Sequence, residues 1–232
     1  MYILPGLIVF FLVFLTVIHR VEKRAVWPFG EIQRQPDSQW IDLGGYTRRW
    51  TADAQQAGFM QLGWAAHFPG GILRVTYALL VSPDRSTLAV IGSGTAGKMP
   101  VQCTWLHSPA TDGRLFYTTD KQSGVQLDLS RNWTNQLVFA SSFGDLWQRH
   151  QSWLQAKGIP PRTFPAGREL EQLRSVREEH FRSMSQAGLI AYTDPSGQMF
   201  QFTLLGAAKT ASLGYFLGLM RAVTRGAFPK EI

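Results

Sequence analysis

Cysteine is almost absent from this sequence: Cys103 is the only one among 232 residues. A single cysteine excludes a disulfide within the chain and a zinc site built on several thiolates, and it agrees with a reducing compartment. The five histidines form no H-x-x-H or H-E-x-x-H pair. His150 and His180 fall on the inner faces of predicted helices, where we expect buried histidines rather than ligands. We therefore predict neither a metal site nor a cofactor.

Blocks of basic residues are also missing, although the chain is basic overall. It carries 23 Lys and Arg against 16 Asp and Glu, a formal net charge of +7, and these charges are spread along the sequence. A nucleic-acid-binding tail would concentrate them, so we predict no nucleic-acid partner. Anionic lipids on the cytoplasmic face of a bilayer attract each nearby basic residue by about 1 kcal/mol, which explains the charge more simply.

Charge is absent altogether from residues 2–18, which form an apolar run. As a helix this run would extend roughly 25 Å, slightly less than the hydrocarbon core of about 30 Å. Tyr2 at one end and a snorkelling Arg20 at the other can make up the difference. We predict a transmembrane anchor with its basic flank over residues 1–24, in contact with the lipid bilayer through residues 2–18.

Basic residues lie on only one side of this apolar run. None precedes it, whereas Arg20, Lys23 and Arg24 follow it closely. Because positive residues are retained on the cytoplasmic side, we predict a single-pass protein of the cell membrane with its N-terminus outside and its C-terminal domain in the cytoplasm. A cleaved signal peptide is the alternative, but it would need a basic n-region and a small-residue cleavage site. Neither is present, so an uncleaved signal-anchor is favoured.

Beyond the anchor, the sequence predicts a linker over residues 25–45 and a single α+β domain over residues 46–232. Hydrophobic periodicity and turn residues predict helices over 53–62, 143–154, 168–186 and 205–224, and a hairpin over 189–204. Strands are predicted over 73–81, 87–91, 101–107, 115–119, 125–129 and 136–140. Because no helix intervenes between these strands, the predicted fold is an antiparallel β-sheet flanked by amphipathic helices.

A glycine-rich stretch, Gly92-Ser93-Gly94-Thr95-Ala96-Gly97-Lys98, matches two phosphate-binding motifs. One is the G-x-G-x-x-G dinucleotide fingerprint, and the other is the G-x-x-x-x-G-K phosphate loop. Both require a helix immediately afterwards, because the amides at its N-terminus bind the phosphates. Met99-Pro100 comes next and disfavours a helix. We therefore predict a glycine-rich hairpin turn over 92–97 and no nucleotide site.

Hydrolase chemistry requires a nucleophile, a base and an orienting group close together in space. Ser108 lies beside His107, and Asp112 and Asp120 are nearby in the sequence. Ser108 precedes a proline and a turn, however, and no nucleophile elbow surrounds it. The sequence therefore assigns no catalytic residue and favours a protein that is not an enzyme.

Tryptophan and glycine supply the candidate partner contacts. Of the eight tryptophans, Trp133 lies in a polar run where an exposed ring would bind a partner, and Trp147 lies on a predicted helix. Gly206, Gly214 and Gly218 recur every four or eight positions in the last predicted helix, which would permit close approach of another helix. That helix has three alternatives: it packs on the sheet, lies on the bilayer, or forms a second span.

Taken together, these features favour a membrane-anchored, non-catalytic binding or assembly subunit with a protein partner in or at the membrane. Two alternatives from other classes stay open. One is a membrane-associated hydrolase or transferase that acts on lipid-derived or peptide substrates. The other is a module that binds a small ligand or lipid in an apolar cavity between sheet and helices.

Overall fold

The computed structural model describes residues 12, 15–16, 23–24, 41–67, 73–96, 98–120, 133–158, 160–195, 197 and 199–210. Within them, no helix is long and apolar enough to cross a membrane. Most of the predicted anchor over 2–18, the predicted strand over 125–129 and the last predicted helix beyond Thr210 lie outside the described residues. The chain divides into two compact units, residues 27–180 and residues 1–26 with 181–232. A single domain over 46–232 stays a prediction.

The described residues contain nine strands. They are β1 (Lys23–Arg24), β2 (Met60–His67), β3 (Leu73–Val81), β4 (Leu88–Ala96), β5 (Met99–Pro109), β6 (Leu115–Asp120), β7 (Trp133–Val138), β8 (Ile190–Tyr192) and β9 (Met199–Phe202). The larger unit contains a six-stranded sheet in the order β2-β3-β4-β5-β6-β7. Pairing is antiparallel from β2 to β6, which confirms the predicted α+β class with an antiparallel sheet.

The last strand of this sheet departs from the prediction. β7 pairs with β6 in parallel, with Leu115 opposite Trp133 and Asp120 opposite Val138. For two neighbouring strands to be parallel, the chain must return after the first strand to the end of the sheet at which that strand began. The direction of β7 therefore depends on the connection between β6 and β7. Local sequence does not encode that connection, and a simple antiparallel continuation over 136–140 is therefore wrong.

Four α-helices lie within the described residues: α1 (Tyr46–Gln56), α2 (Phe143–Ala156), α3 (Glu169–Gln186) and α4 (Leu204–Thr210). The bounds of α2 and α3 agree with the predictions. The predicted helix over 53–62 is wrong in its bounds, because α1 begins at Tyr46 and its last residue is Gln56. Gly58 follows with a φ of 86°, and the chain enters β2 at Met60.

Helices α1 and α2 cover one side of the six-stranded sheet, which we call the first face. Tyr46, Trp50 and Ala54 are spaced four residues apart along α1, so they share one side of the helix and are buried together. They form one cluster with residues of β3, β4 and β5 and with the first turn of α2. Ser142 caps α2 by accepting a hydrogen bond from the Asp145 amide at 3.2 Å.

Helix α3 contributes to the opposite side of the same sheet, which we call the second face. Leu173 of α3 and Phe164 before it are buried in a cluster with Leu79 of β3 and Val90 of β4. Arg85, in the turn between β3 and β4, forms an ion pair with the buried carboxylate of Glu169. Its Nε also donates to the Phe164 carbonyl at 3.1 Å. The turn and the start of α3 are therefore joined.

The glycine-rich stretch is a strand rather than a turn. β4 continues to Ala96, so the turn predicted over 92–97 is wrong in its bounds, although β4 and β5 do form an antiparallel hairpin. Gly92 lies opposite Tyr77 in the β3–β4 pairing, and a Cβ at Gly92 would collide with the Tyr77 ring. A Cβ at Gly94 would lie 2.6 Å from the Val75 Cα. The two glycines therefore allow residues of β3 to pack closely against β4. This role depends on contacts that the sequence alone does not show.

The smaller unit contains a three-stranded sheet in the order β1-β9-β8. β8 and β9 form the predicted hairpin, and β1 pairs antiparallel with β9, with Lys23 opposite Phe200 and Arg24 opposite Met199. Phe200 and Phe202 pack edge-to-face at 5.5 Å between ring centroids. Residues that follow the apolar run directly in sequence thus pair with a strand near the other end of the chain.

Candidate functional site

A chain of buried polar side chains crosses the first face. Ser108 Oγ lies 2.8 Å from His150 Nε2 and 2.6 Å from Thr87 Oγ1. On the other side of the imidazole, His150 Nδ1 lies 2.7 Å from Thr118 Oγ1. Thr118 is also 3.4 Å from Gln136 Oε1 in β7. These contacts connect α2 with three strands of the sheet.

The histidine that contacts Ser108 in the structure is His150, not its sequence neighbour His107. His107 and Ser108 are neighbours in β5, and successive side chains of a strand point to opposite faces of its sheet. Ser108 therefore meets His150 on the first face, whereas His107 contacts the Tyr117 ring at 4.7 Å on the second. The Ser108–His150 contact joins positions 42 residues apart, and no local motif announces it.

The Ser108–His150 pair has the distance of a nucleophile and its base but not the access that such a pair needs. Ser108 is 1% exposed and His150 is 0% exposed, so neither reaches solvent. Burial lowers the pKa of His150 to about 3, and the imidazole is neutral at physiological pH. A threonine, not a carboxylate, contacts its second nitrogen. In this state the network satisfies buried polar groups and holds α2 on the sheet.

A second group of titratable residues lies on the second face. Burial and the positive charge of Arg177 hold the pKa of His107 well below its usual value, and the same two causes lower the pKa of His180 to about 3. Burial also raises the pKa values of Tyr77 and Tyr117. This cluster therefore keeps two histidines neutral beside one guanidinium.

A surface cleft of about 370 Å³ lies beside α1 and the edge strand β2. Trp64 forms part of its wall, and the buried Thr51 Oγ1 there has no hydrogen-bond partner within the described residues. Its remaining lining consists of Asp42, Arg48, Ala52, Gln55 and Gln61. Although most of these residues are polar, the atoms that line the cleft are mainly apolar.

The other edge of the sheet carries an exposed aromatic side chain. β7 is the last strand on its side of the sheet within the described residues, and Phe139 follows it with 66% of its surface exposed. Trp133, predicted as a partner contact, is the first residue of this edge strand. An unpaired strand edge can accept an extended segment of another chain.

Trp147, the second predicted contact, is largely engaged within the protein. Its ring packs edge-to-face against Phe59 at 5.0 Å and stacks on His150 at 5.9 Å. The ring is only partly buried, so its role as a partner contact stays a prediction.

Gly206 is buried in α4 against its own chain. A Cβ at this position would collide with the Leu189 carbonyl oxygen and lie 2.8 Å from the carbonyl carbon. The missing side chain thus lets α4 approach the residue that precedes β8. Contact between this glycine and a partner stays a prediction, and Gly214 and Gly218 lie outside the described residues.

Replacing Gly206 with alanine is expected to destabilise the smaller unit by about 1–3 kcal/mol, because backbone must move to admit the new methyl group. Gly144→Ala is the matched control: its Cβ would come no closer than 3.9 Å to Ser142 Oγ. Because Gly144 lies in a helix, Gly144→Ala should raise the free energy of unfolding by up to about 1 kcal/mol. Thermal unfolding of the full-length protein in detergent measures the change in stability of both variants, Gly206→Ala and Gly144→Ala. Equal stability of the two variants would contradict the packing argument.

Within the described residues, no group of three or more His, Cys, Asp and Glu side chains is arranged to hold a metal ion. Comparison of the chain with protein-family models, with curated proteins and with solved structures gives no match. What the protein does is therefore inferred from its own residues.

Proposed function

We propose that the protein is a membrane-anchored, non-catalytic binding or assembly subunit that holds a protein partner at the β7 edge of its larger unit. The exposure of Phe139 carries this proposal. A large aromatic side chain that is 66% exposed gains free energy when a partner covers it. Aromatic anchors of this kind contribute most of the binding energy in many protein interfaces.

The adjacent strand gives the partner a second means of attachment. Within the described residues no strand pairs with the outer edge of β7, and an extended segment of the partner could pair there beside Phe139. Main-chain hydrogen bonds would then supply affinity, and contact with the Phe139 ring would supply selectivity. Trp133 at the start of β7 and Phe139 after its end bracket the surface proposed for this contact.

The sequence supports the location of this subunit. Residues 2–18 would anchor it in the cell membrane, and the basic residues after them favour a cytoplasmic position for the domain. The partner would then be a protein in or at the same membrane. Tethering both proteins to one bilayer raises their effective concentration, so even a small interface could hold them together.

Replacing Phe139 with aspartate is expected to release the partner. Loss of an aromatic anchor costs about 2 kcal/mol or more, which corresponds to roughly 30-fold weaker binding. The measurement is mild-detergent purification of the tagged full-length protein from its native source, with quantitative mass spectrometry of what accompanies it. Wild-type protein should retain a stoichiometric membrane partner, and Phe139→Asp should lose it.

The control is Gln148→Asp, which adds the same charge at an exposed position of α2. This variant should retain the partner. Recovery of the wild-type protein alone, as a monodisperse monomer, would refute the assembly function. Equal retention by Phe139→Asp would leave assembly standing but refute the β7 edge as its site.

One observation favours a second function. The 2.8 Å contact between Ser108 and His150 has the geometry of a hydrolase nucleophile and base, and the alternative of a membrane-associated hydrolase or transferase depends on it. Such an enzyme would need an opening that exposes Ser108 to substrate. Labelling of Ser108 by a fluorophosphonate probe in the native protein would support that function, and an unlabelled serine would count against it.

A further inference from the structure

The outer side of α4 is apolar where water would favour polar residues. Leu204 is 70% exposed and Leu205 is 54% exposed, whereas Gly206 and Ala207 on the inner side are buried. Burying one leucine side chain contributes about 1.5–3 kcal/mol, so two adjacent exposed leucines represent a considerable unfavourable surface. Such a surface is typical of a contact with another apolar phase or partner.

The direction of β1 shows which end of the small sheet lies towards the apolar run. β1 is antiparallel to β9, with Arg24 opposite Met199 and Lys23 opposite Phe200. Going backwards along the chain from Lys23 therefore leads towards Phe202, the end of β9 from which α4 begins. Residue 18, the last of the apolar run, is separated from Lys23 by a segment that spans at most about 18 Å.

We infer that Leu204 and Leu205 form a second membrane contact, in which the start of α4 enters the interface of the bilayer that residues 2–18 cross. This inference rests on the anchor in the proposed function and adds a second attachment to it. The first residue of β1 and the leucine pair lie towards the same end of the small sheet, so a bilayer crossed by residues 2–18 would be within reach of the leucine pair. The occupant of this surface is therefore lipid rather than water.

The opposite end of the hairpin provides an internal reference. Its turn is closed by the Thr193 amide, which donates to the Met199 carbonyl at 3.0 Å, and Pro195 in the turn is exposed. The four residue steps from Met199 to Thr203 extend roughly 13 Å at the rise of a strand. The headgroup region on each side of a bilayer is only about 5–8 Å thick. A probe at Pro195 should therefore stay in water when a probe at Leu204 is in the interface.

Fluorescence in vesicles tests the contact. Full-length Leu204→Cys and Pro195→Cys variants are labelled with an environment-sensitive fluorophore and reconstituted into phosphatidylcholine–phosphatidylglycerol vesicles with or without brominated acyl chains. Wild-type protein gives the background, since its single thiol, Cys103, is buried. The label at position 204 should shift to shorter wavelength and lose most of its emission to the brominated lipid. The label at position 195 should do neither.

The outcomes separate the contact from the anchor. Protein that floats with the vesicles after a carbonate wash but carries an unquenched label at position 204 overturns the second contact and leaves the anchor standing. Protein that no longer floats overturns both. A blue-shifted label that brominated lipid does not quench indicates coverage by protein and also overturns the membrane contact. Leu205→Cys repeats the measurement at the neighbouring side chain, so the result does not depend on one variant.

Discussion

Acidification from pH 7 to pH 5 is expected to remove roughly 4 kcal/mol from the stability of the larger unit, about 2 kcal/mol each for the buried His150 and His180, and His107 changes the stability in the same direction. Burial lowers the pKa values of His150 and His180 to about 3 and holds that of His107 well below its usual value. Unfolding returns each imidazole to its ordinary pKa near 6.5. The unfolded chain therefore binds more protons over this range, and stability falls as the pH falls.

A loss of roughly 4 kcal/mol is a large part of the whole stability of an ordinary domain, which is about 5–15 kcal/mol. The stabilisation is fully present above about pH 6.5 and is lost progressively as the pH falls below it, because the folded state cannot take up the protons. Urea unfolding of the full-length protein in detergent at several pH values, followed by tryptophan fluorescence, measures the slope. A free energy of unfolding that is flat between pH 7 and pH 5 would contradict the prediction.

The substitution His107→Phe measures how much of the pH dependence of the unfolding free energy is due to this one histidine. His107 Nδ1 has no hydrogen-bond partner within the described residues, so His107→Phe removes a proton site without removing a bond at that atom. The loss of stability between pH 7 and pH 5 should be smaller in this variant than in the wild type. Tyr117→Phe is the control, because it changes the ring that His107 contacts but adds or removes no group that titrates between pH 5 and pH 7. Equal slopes in wild type and His107→Phe would show that this histidine is not held neutral.

Replacing Arg85 with methionine is expected to destabilise the larger unit by about 3–5 kcal/mol. The substitution keeps an apolar side chain of similar length but leaves the buried Glu169 carboxylate without its cation. It also removes the donor to the Phe164 carbonyl. The backbone bond from the Phe164 amide to the Arg85 carbonyl, at 2.7 Å, does not depend on the side chain. The measured loss therefore reports the buried charge and its hydrogen bonds.

The exposed pair Arg114–Asp112 provides the comparison. Arg114 Nη2 lies 2.6 Å from Asp112 Oδ2, but both side chains are well exposed. Arg114→Met should therefore lower the free energy of unfolding by less than about 1 kcal/mol. Adding Glu169→Leu to Arg85→Met should recover much of the loss, since the unpaired buried charge disappears with it. Chemical denaturation of the four proteins provides the free energies. Equal costs for Arg85→Met and Arg114→Met would show that burial does not strengthen the first pair.

The parts of the fold that the sequence predicted are those with a strong local pattern. The alternating apolar residues of β3 and β5 and the helical spacing of Phe143, Leu146, His150 and Leu154 each indicate one element without reference to the rest of the chain. The start of α1 was missed although Tyr46, Trp50 and Ala54 carry a helical period, because the neighbouring glycines suggested a linker. A closer count of that period would have found it.

The remaining errors have a common physical cause in distant contacts. Gly92 and Gly94 read as a turn because glycine weakens a strand, and only the neighbouring Tyr77 and Val75 explain their presence in β4. β2 was not predicted, because Gly63, Ala65 and Ala66 are small residues that make its alternating hydrophobic pattern weak. The contact between Ser108 and His150 joins a strand to a helix that follows much later. Sequence spacing alone cannot predict which histidine reaches the serine.

The pairing of β1 with β9 also determines the order in which the protein can be completed on the ribosome. Residues 27–180 are continuous, so the larger unit has its whole sequence available before the last part of the chain is translated. The smaller unit joins residues 1–26 to 181–232, and its central strand, β9, is synthesised about 175 residues after β1. The first segment to leave the ribosome must therefore wait, unpaired, until nearly the end of synthesis.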